Sequence, residues 1–363
     1  MCSKTWSGDP PNGDDGAVRK RIWSLTVALT LATPLPATAA DSPWQTQPVE
    51  ARGALTAVSS GPEGTWAFGE APDGRSFALR GAEDWQRVPI PDVGRVHHAQ
   101  SGWAVGRRGA LRWTDGWQRV RVAERAGTST TLQAVEIDPL APELAWAVGA
   151  ETVPGTQWRR GVVQRWDGTA WRGVPVPDGL LDTSSELTGV APRGGDEVFV
   201  YGIDHDRSGS RVVVLRYAGG TWTNVPVSRR AGYDEQVVGH NSEAARLVGW
   251  TAPVGAPASA RRPLVLRVNP DNREVVRERV PATAAELTGV TSEYGTPLAV
   301  GHTADGRPYA VRLSGDSENG TWIADPVPPV RGRLLAVAGI VVPNIWAVGV
   351  TAANRPLVLR DEP

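Results

Sequence analysis

The chain has 363 residues, with 38 Lys and Arg against 39 Asp and Glu and a formal net charge of −1, so it has no basic excess and nucleic acid is excluded as the expected partner. Its one cysteine is Cys2, which rules out a disulfide framework and leaves residues beyond 40 without a thiolate nucleophile or a cysteine metal ligand. Tryptophan dominates the aromatics (16 Trp, 5 Tyr, 3 Phe), and the 41 Gly and 30 Pro fall between short apolar runs, a pattern of turns and not of disorder.

In chain order, Arg19-Lys20-Arg21 is followed by an apolar run from Ile22 to about Leu35 and by Ala37-Thr38-Ala39, a small-x-small cleavage pattern. Residues 1–40 are therefore expected to be an N-terminal extension with a secretory signal peptide, and the rest to be extracellular. The apolar run is too short and too broken by Thr and Pro to cross a bilayer, so no membrane insertion is expected.

From residue 41 a four-residue phrase keeps returning. It reads Trp66-Ala67-Phe68-Gly69, Trp103-Ala104-Val105-Gly106, Trp146-Ala147-Val148-Gly149 and Trp346-Ala347-Val348-Gly349. Degraded copies are Phe199-Val200-Tyr201-Gly202, Arg246-Leu247-Val248-Gly249 and Leu298-Ala299-Val300-Gly301. The seven glycines recur at a mean of about 47 residues. Each repeat holds four short runs with β-branched or aromatic bias, bounded by turn residues. In the first repeat these are Leu55–Val58, Trp66–Gly69, Phe77–Arg80 and Trp85–Ile90. Four strands per period of this length make one blade of a propeller. The seventh repeat ends after its third run, at Arg360, and the missing fourth run stands at the other end as Trp44-Gln45-Thr46-Gln47-Pro48-Val49. The expected fold is all-β: a seven-bladed β-propeller of four-stranded antiparallel blades over residues 41–363, closed by an N-terminal strand in the last blade.

This repeat, with Arg165-Trp166-Asp167-Gly168-Thr169-Ala170-Trp171 as its fullest second half, resembles the secreted WAVG-repeat propellers of actinobacteria, related at fold level to kelch and galactose-oxidase-type propellers. The resemblance covers about residues 44–360 and implies fold far more than activity. A copper-radical oxidase is not implied, because its cysteine–tyrosine cross-link needs a cysteine that residues 41–363 lack.

Features present in every repeat read as architecture. One arginine closes each third run (Arg80, Arg112, Arg165, Arg216, Arg267, Arg312, Arg360), and stacking on a repeat Trp is expected. Function is sought where repeats differ. The loops between second and third runs share one face with the segments leading into first runs. They are longest in blades three to five: Ala150–Gly161, Ile203–Arg211 and Trp250–Arg262, with Pro177–Glu186 and Ser228–Glu235. The binding residues expected there are Trp158, Arg159, Arg160, His205, Arg229, Arg230, Tyr233 and Trp250, exposed aromatics among Arg and carboxylates that suit a carbohydrate or an extracellular protein. Asp204 and Asp206 open a D-x-D-x-S-G spacing that offers oxygens to Ca²⁺, although Leu215 stands where an EF-hand needs Glu. His97, His98 and His240 fall in first runs, with His97 and His240 sharing strand parity and expected to face one another across the axis.

The expected function is non-catalytic binding by a monomer through the loops of blades three to five. The alternatives are a lyase or hydrolase at the channel mouth, using His97, His240, Asp204 or Asp206, and a scaffold that displays loops to a partner protein.

Overall fold

A computed structural model describes residues 42–361 except 62, 82, 83, 153, 183, 207, 208, 243, 244, 270, 272, 294 and 340–344. The expected signal segment lies outside the described residues. The chain forms seven four-stranded antiparallel sheets. A short strand β1 (Trp44–Thr46) comes first, and then blade one holds β2 (Ala54–Gly61), β3 (Gly64–Glu70), β4 (Ser76–Arg80) and β5 (Gln86–Val88). Blade two holds β6 (Val96–Gln100), β7 (Trp103–Gly106), β8 (Gly109–Trp113) and β9 (Trp117–Val120). Blade three holds β10 (Thr130–Asp138), β11 (Ala141–Thr152), β12 (Arg159–Trp166) and β13 (Trp171–Val174). Blade four holds β14 (Ser185–Gly194), β15 (Glu197–Asp206), β16 (Gly209–Ala218) and β17 (Thr221–Val225). Blade five holds β18 (Tyr233–Asn241), β19 (Arg246–Pro253), β20 (Arg262–Asn269) and β21 (Glu274–Glu278). Blade six holds β22 (Ala285–Glu293), β23 (Thr296–Thr303), β24 (Pro308–Ser314) and β25 (Thr321–Asp325). Blade seven holds β26 (Gly332–Ala338), β27 (Ile345–Thr351) and β28 (Pro356–Asp361), and its fourth strand is β1.

The recurring glycine has one cause in all seven blades. Each first strand carries a bulge one residue after its Leu or Val, as between Leu132 and Ala134. The bulge turns a carbonyl of the first strand onto the second-strand glycine. A Cβ on Gly149 would lie 2.0 Å from the Thr131 carbonyl oxygen, and one on Gly249 would lie 1.8 Å from that of Gln236. Only glycine leaves room for that approach.

The core is divided among the interfaces between blades. Seven clusters of buried side chains each draw on two neighbouring blades, and the one built from Leu55, Phe77, Leu79, Trp346, Val348 and Val358 joins blade seven to blade one. The repeat Trp supplies the contact. Trp66 packs on Trp113 and Trp117 of the next blade, Trp103 on Trp166 and Trp171, and Trp346 on Trp85, with ring centroids 5.0–5.4 Å apart. The third-strand arginines cover these rings as expected: Arg80, Arg112, Arg165 and Arg360 sit 5.3–5.4 Å from the indoles of Trp66, Trp103, Trp146 and Trp346. In blades four to six, where that Trp is lost, the arginine takes a carboxylate instead: Arg216 with Glu197, Arg267 with Glu278, and Arg312 with Asp325 and Asp361. In blade five Arg246 stands in the Trp position itself. It is 2% exposed and forks onto both oxygens of Glu278, which also accepts the indole N–H of Trp322 from blade six.

Closure follows the expected plan. Trp44 pairs with Asp361, and Thr46 with Leu359. Trp44 is 2% exposed and donates its indole N–H to Asp325 of blade six at 3.1 Å.

Candidate functional site

Antiparallel pairing puts the start of each first strand beside the end of the second, as Ser185 opposite Asp204 shows. The lengthened segments of blades three to five therefore share one face. Two of them are extended strand rather than loop: β11 runs to Thr152, and β15 and β16 continue as a ladder out to Asp206 and Gly209. The hairpin of blade four is thus a paired two-stranded ribbon as far as Asp206 and Gly209. Beyond it the blade-five hairpin turns through a short 3₁₀ segment, Ala258–Ala260.

The ribbon explains the state of the two aspartates. Asp204 and Asp206 lie on one side of β15, and each carboxylate faces an arginine: Asp204 meets Arg211 at 2.9 Å, and Asp206 meets Arg229 at 3.3 Å. Arg211 also bridges to Asp182 at 2.8 Å. Burial pushes the Asp204 carboxyl up to about 6, with Asp182 adding to that and Arg211 opposing it. Ladder pairing keeps both aspartates on an extended strand, and a guanidinium group sits on each carboxylate. His205, on the other side of the strand, bonds Ser210 Oγ at 2.9 Å through Nδ1.

The other expected binding residues divide into groups. Arg159 is tied to Glu186 at 2.7 Å, so it braces blade three against blade four. Arg230, which is exposed, lies over the ring of half-buried Tyr233, 3.5 Å from its centroid. Trp250 departs from the expectation of an exposed platform: it is 8% exposed, and Arg261 covers its ring at 4.0 Å while pairing with Glu286. The guanidinium returning from the hairpin occupies the face a ligand would need.

Trp158 is different. Its side chain is 54% exposed, and Arg160 beside it pairs with Asp178 at 3.0 Å. Both residues line a cavity of about 440 Å³ with Val176, Pro177, Leu181 and Asp182. A second cavity of about 590 Å³ adjoins it through Arg160, Gly161 and Val176–Asp178 and extends to Glu124, Arg125 and Glu151. Together they form a groove along the outer strands of blade three. Its far wall is the segment leading in from blade two, held by buried Gln164, which accepts from the Ala123 N–H at 3.0 Å and donates to the Ala123 carbonyl at 2.7 Å. Glu151, Asp178 and Asp182 lie in the long segments Ala150–Gly161 and Pro177–Glu186 but were not among the binding residues expected from sequence, and for Arg125 the length of the segment before Thr130 was the available signal.

The axial histidines also depart from expectation. His97 is the bulged residue of β6, and its Nδ1–H donates to the Leu132 carbonyl of blade three at 2.9 Å. Thr56, Thr188 and Thr288 make the same clasp to Val96, Val237 and Leu334 of their next blades. Burial, aided by Arg95, Arg159 and Arg107, holds His97 down to about 4, so it is neutral. The bulge breaks the alternation of the strand, and the ring that meets His240 is therefore His98, with centroids 5.1 Å apart. His98 and His240 line a cavity bounded by the ends of first strands, away from Asp204 and Asp206, so the residues of the channel-mouth alternative do not converge.

No family model matches the chain, and no curated protein matches it. Among solved structures it is similar to the WD40 β-propeller domain of Doa1, at 9% identity and a TM-score of 0.55, covering 88% of this chain and 97% of that one. It is also similar to the BP39L lectin from Burkholderia pseudomallei, at 14% identity and a TM-score of 0.54, covering 85% and 95%. At these identities the likeness is one of fold: the chain is a β-propeller. Among the described residues no helix is long and apolar enough to cross a membrane.

Proposed function

We propose that this propeller is an extracellular binding protein that takes a carbohydrate chain in the groove of blade three, with Trp158 as the stacking surface. The observation that carries the reading is the exposed indole set at the edge of a groove with paired charges along its walls. An aromatic face supplies apolar contact to one side of a sugar ring, while Arg160, Asp178 and Asp182 supply donors and acceptors for hydroxyl groups. The two joined cavities, about 590 and 440 Å³, fall in the size range of small-ligand sites. That a propeller of similar fold is named a lectin supports the same reading.

The test is calorimetric titration of residues 41–363 with oligosaccharides chosen from an array. Trp158→Ala should weaken binding at least tenfold, about 1.4 kcal/mol, and Arg160→Ala should also weaken it. Trp250→Ala should leave affinity unchanged once the protein is folded. Saccharide binding insensitive to Trp158, or capture of peptides alone in that groove, would refute the proposal.

A further inference from the structure

The axis of the ring holds a group of side chains that the groove does not use. The third residue of each first run is small in six blades: Ala57, Ala134, Gly189, Gly239, Gly289 and Ala336. In blade two it is His98. The fourth residue is Val or Ala in six blades, and in blade five it is His240. In a repeat ring these positions share one packing task, so a polar ring at one of them answers to something other than packing.

The two departures meet. His98 and His240 come from opposite parts of the ring, and with Glu136 of blade three their donor atoms lie within 4.8 Å of one another. Among the described residues no other three His, Cys, Asp or Glu donors are so placed. His240 Nε2 stands 3.3 Å from Glu136 Oε1, and that buried nitrogen makes no hydrogen bond among the described residues. The fold makes room for the ring: a Cβ on Gly189 would fall 2.8 Å from His240 Cγ. Glu136 is 4% exposed and has Ser242 Oγ at 3.4 Å on its other oxygen. Among the described residues, the buried carboxylates of Asp204, Glu235 and Asp361 each have an arginine and that of Asp138 has none; Glu136 alone of these faces two imidazoles. A buried carboxylate facing two nitrogen donors lacks a positive charge that a bound cation would supply.

We propose that His98, Glu136 and His240 form a binding site for a divalent transition-metal ion of the zinc class. Two nitrogens and one carboxylate oxygen are a donor set that Zn²⁺ and Co²⁺ accept and that Ca²⁺ and Mg²⁺, which prefer oxygen, do not. Ligands about 2.1 Å from a tetrahedral ion lie roughly 3.4 Å apart, the separation that His240 and Glu136 already have. The His98 donor stands within 4.8 Å of both, so the three need only a small inward adjustment to close on one ion. The site opens on a cavity of about 280 Å³ lined by residues of all seven blades, which leaves a coordination position for water or a small anion.

The experiment is titration of metal-stripped protein with Zn²⁺ and Co²⁺, followed by calorimetry and by the visible absorption of bound Co²⁺. The wild type should take up one equivalent, with Ca²⁺ and Mg²⁺ giving no heat. Zn²⁺ at 100 times its Kd should raise Tm by about 4 °C. The variant His98→Ala/His240→Val restores the repeat residues, so it should fold with an unchanged or higher Tm in chelator and bind no ion. Glu136→Gln, which keeps shape, should weaken binding at least tenfold. Absence of uptake by the wild type, or the same single equivalent bound by the double variant, would overturn the assignment.

Discussion

Trp44 tests whether the ring is closed by the strand that opens the folded unit. Its indole is 2% exposed among Leu298, Leu334, Ile345 and Leu359, and its N–H serves Asp325. Trp44→Ala removes that packing and leaves the carboxylate with one donor fewer; a buried Trp cut to Ala costs about 3–5 kcal/mol. For a unit of roughly 320 residues, an unfolding entropy of about 2.1 cal/mol/K per residue turns that loss into a Tm drop of about 5–7 °C. Trp44→Phe keeps most of the apolar contact and loses the hydrogen bond, so about 2 °C is expected. Scanning calorimetry of both variants beside Trp158→Ala, an exposed site where the change should be near zero, is the assay. If Trp44→Ala melts within 1 °C of Trp158→Ala, β1 does not seal blade seven.

Three further outcomes follow from buried contacts. Arg246→Ala removes the two-pronged contact to Glu278, which keeps Arg267 and the Trp322 N–H, and should cost about 1.5–3 kcal/mol, read as a Tm loss of about 2–4 °C; a loss under 1 °C would show the pair to be dispensable. Asp204 has a folded value of about 6 against an ordinary 3.8, so its ionised form opposes folding, and its contribution declines as pH rises from 4 to 6. Denaturant titrations should show wild type gaining up to about 3 kcal/mol on Asp204→Asn as pH falls from 7 to 4, and parallel profiles would refute the burial argument. Gly149→Ala sets a methyl against the Thr131 carbonyl and should cost about 3 kcal/mol, whereas Gly173→Ala, with open space around it, should change stability little; equal losses would detach the repeat glycine from the bulge.

The blades were legible because every repeat solves the same local problem. The Trp that reaches the next blade, the glycine under the bulge and the arginine over the ring recur at fixed offsets, so periodicity alone reveals them. The closing strand was legible for the same reason, since Trp44–Val49 copies the fourth run of blade one. What sequence could not resolve arises between distant segments. The bulge at His97 shifts the alternation by one residue, which sends His97 into a clasp and His98 to the axis. Trp250 reads as exposed until Arg261 is seen lying on it. The D-x-D-x-S-G spacing gives no sign that Asp204 and Asp206 stand on a paired hairpin with an arginine on each carboxylate. The groove beside Trp158 needs a wall from the segment ahead of blade three, and no spacing within blade three foretells it.

The pairing of Trp44 with Asp361 also fixes an order of events in folding. Blade seven is finished by two segments separated by nearly the whole unit, so it carries the largest loop-closure entropy of the seven. At about 5–20 residues per second of synthesis, β1 waits roughly 15–60 s for its partner. Until then the other blades stand as an open array with an apolar face at each end, and β28, once made, offers a bare edge. A second copy offers the same β1 to that edge, so strand exchange between chains competes with self-closure, and the competition grows with concentration. Refolding at low concentration should favour monomeric rings, and refolding at high concentration should favour dimers joined by exchanged N-terminal strands.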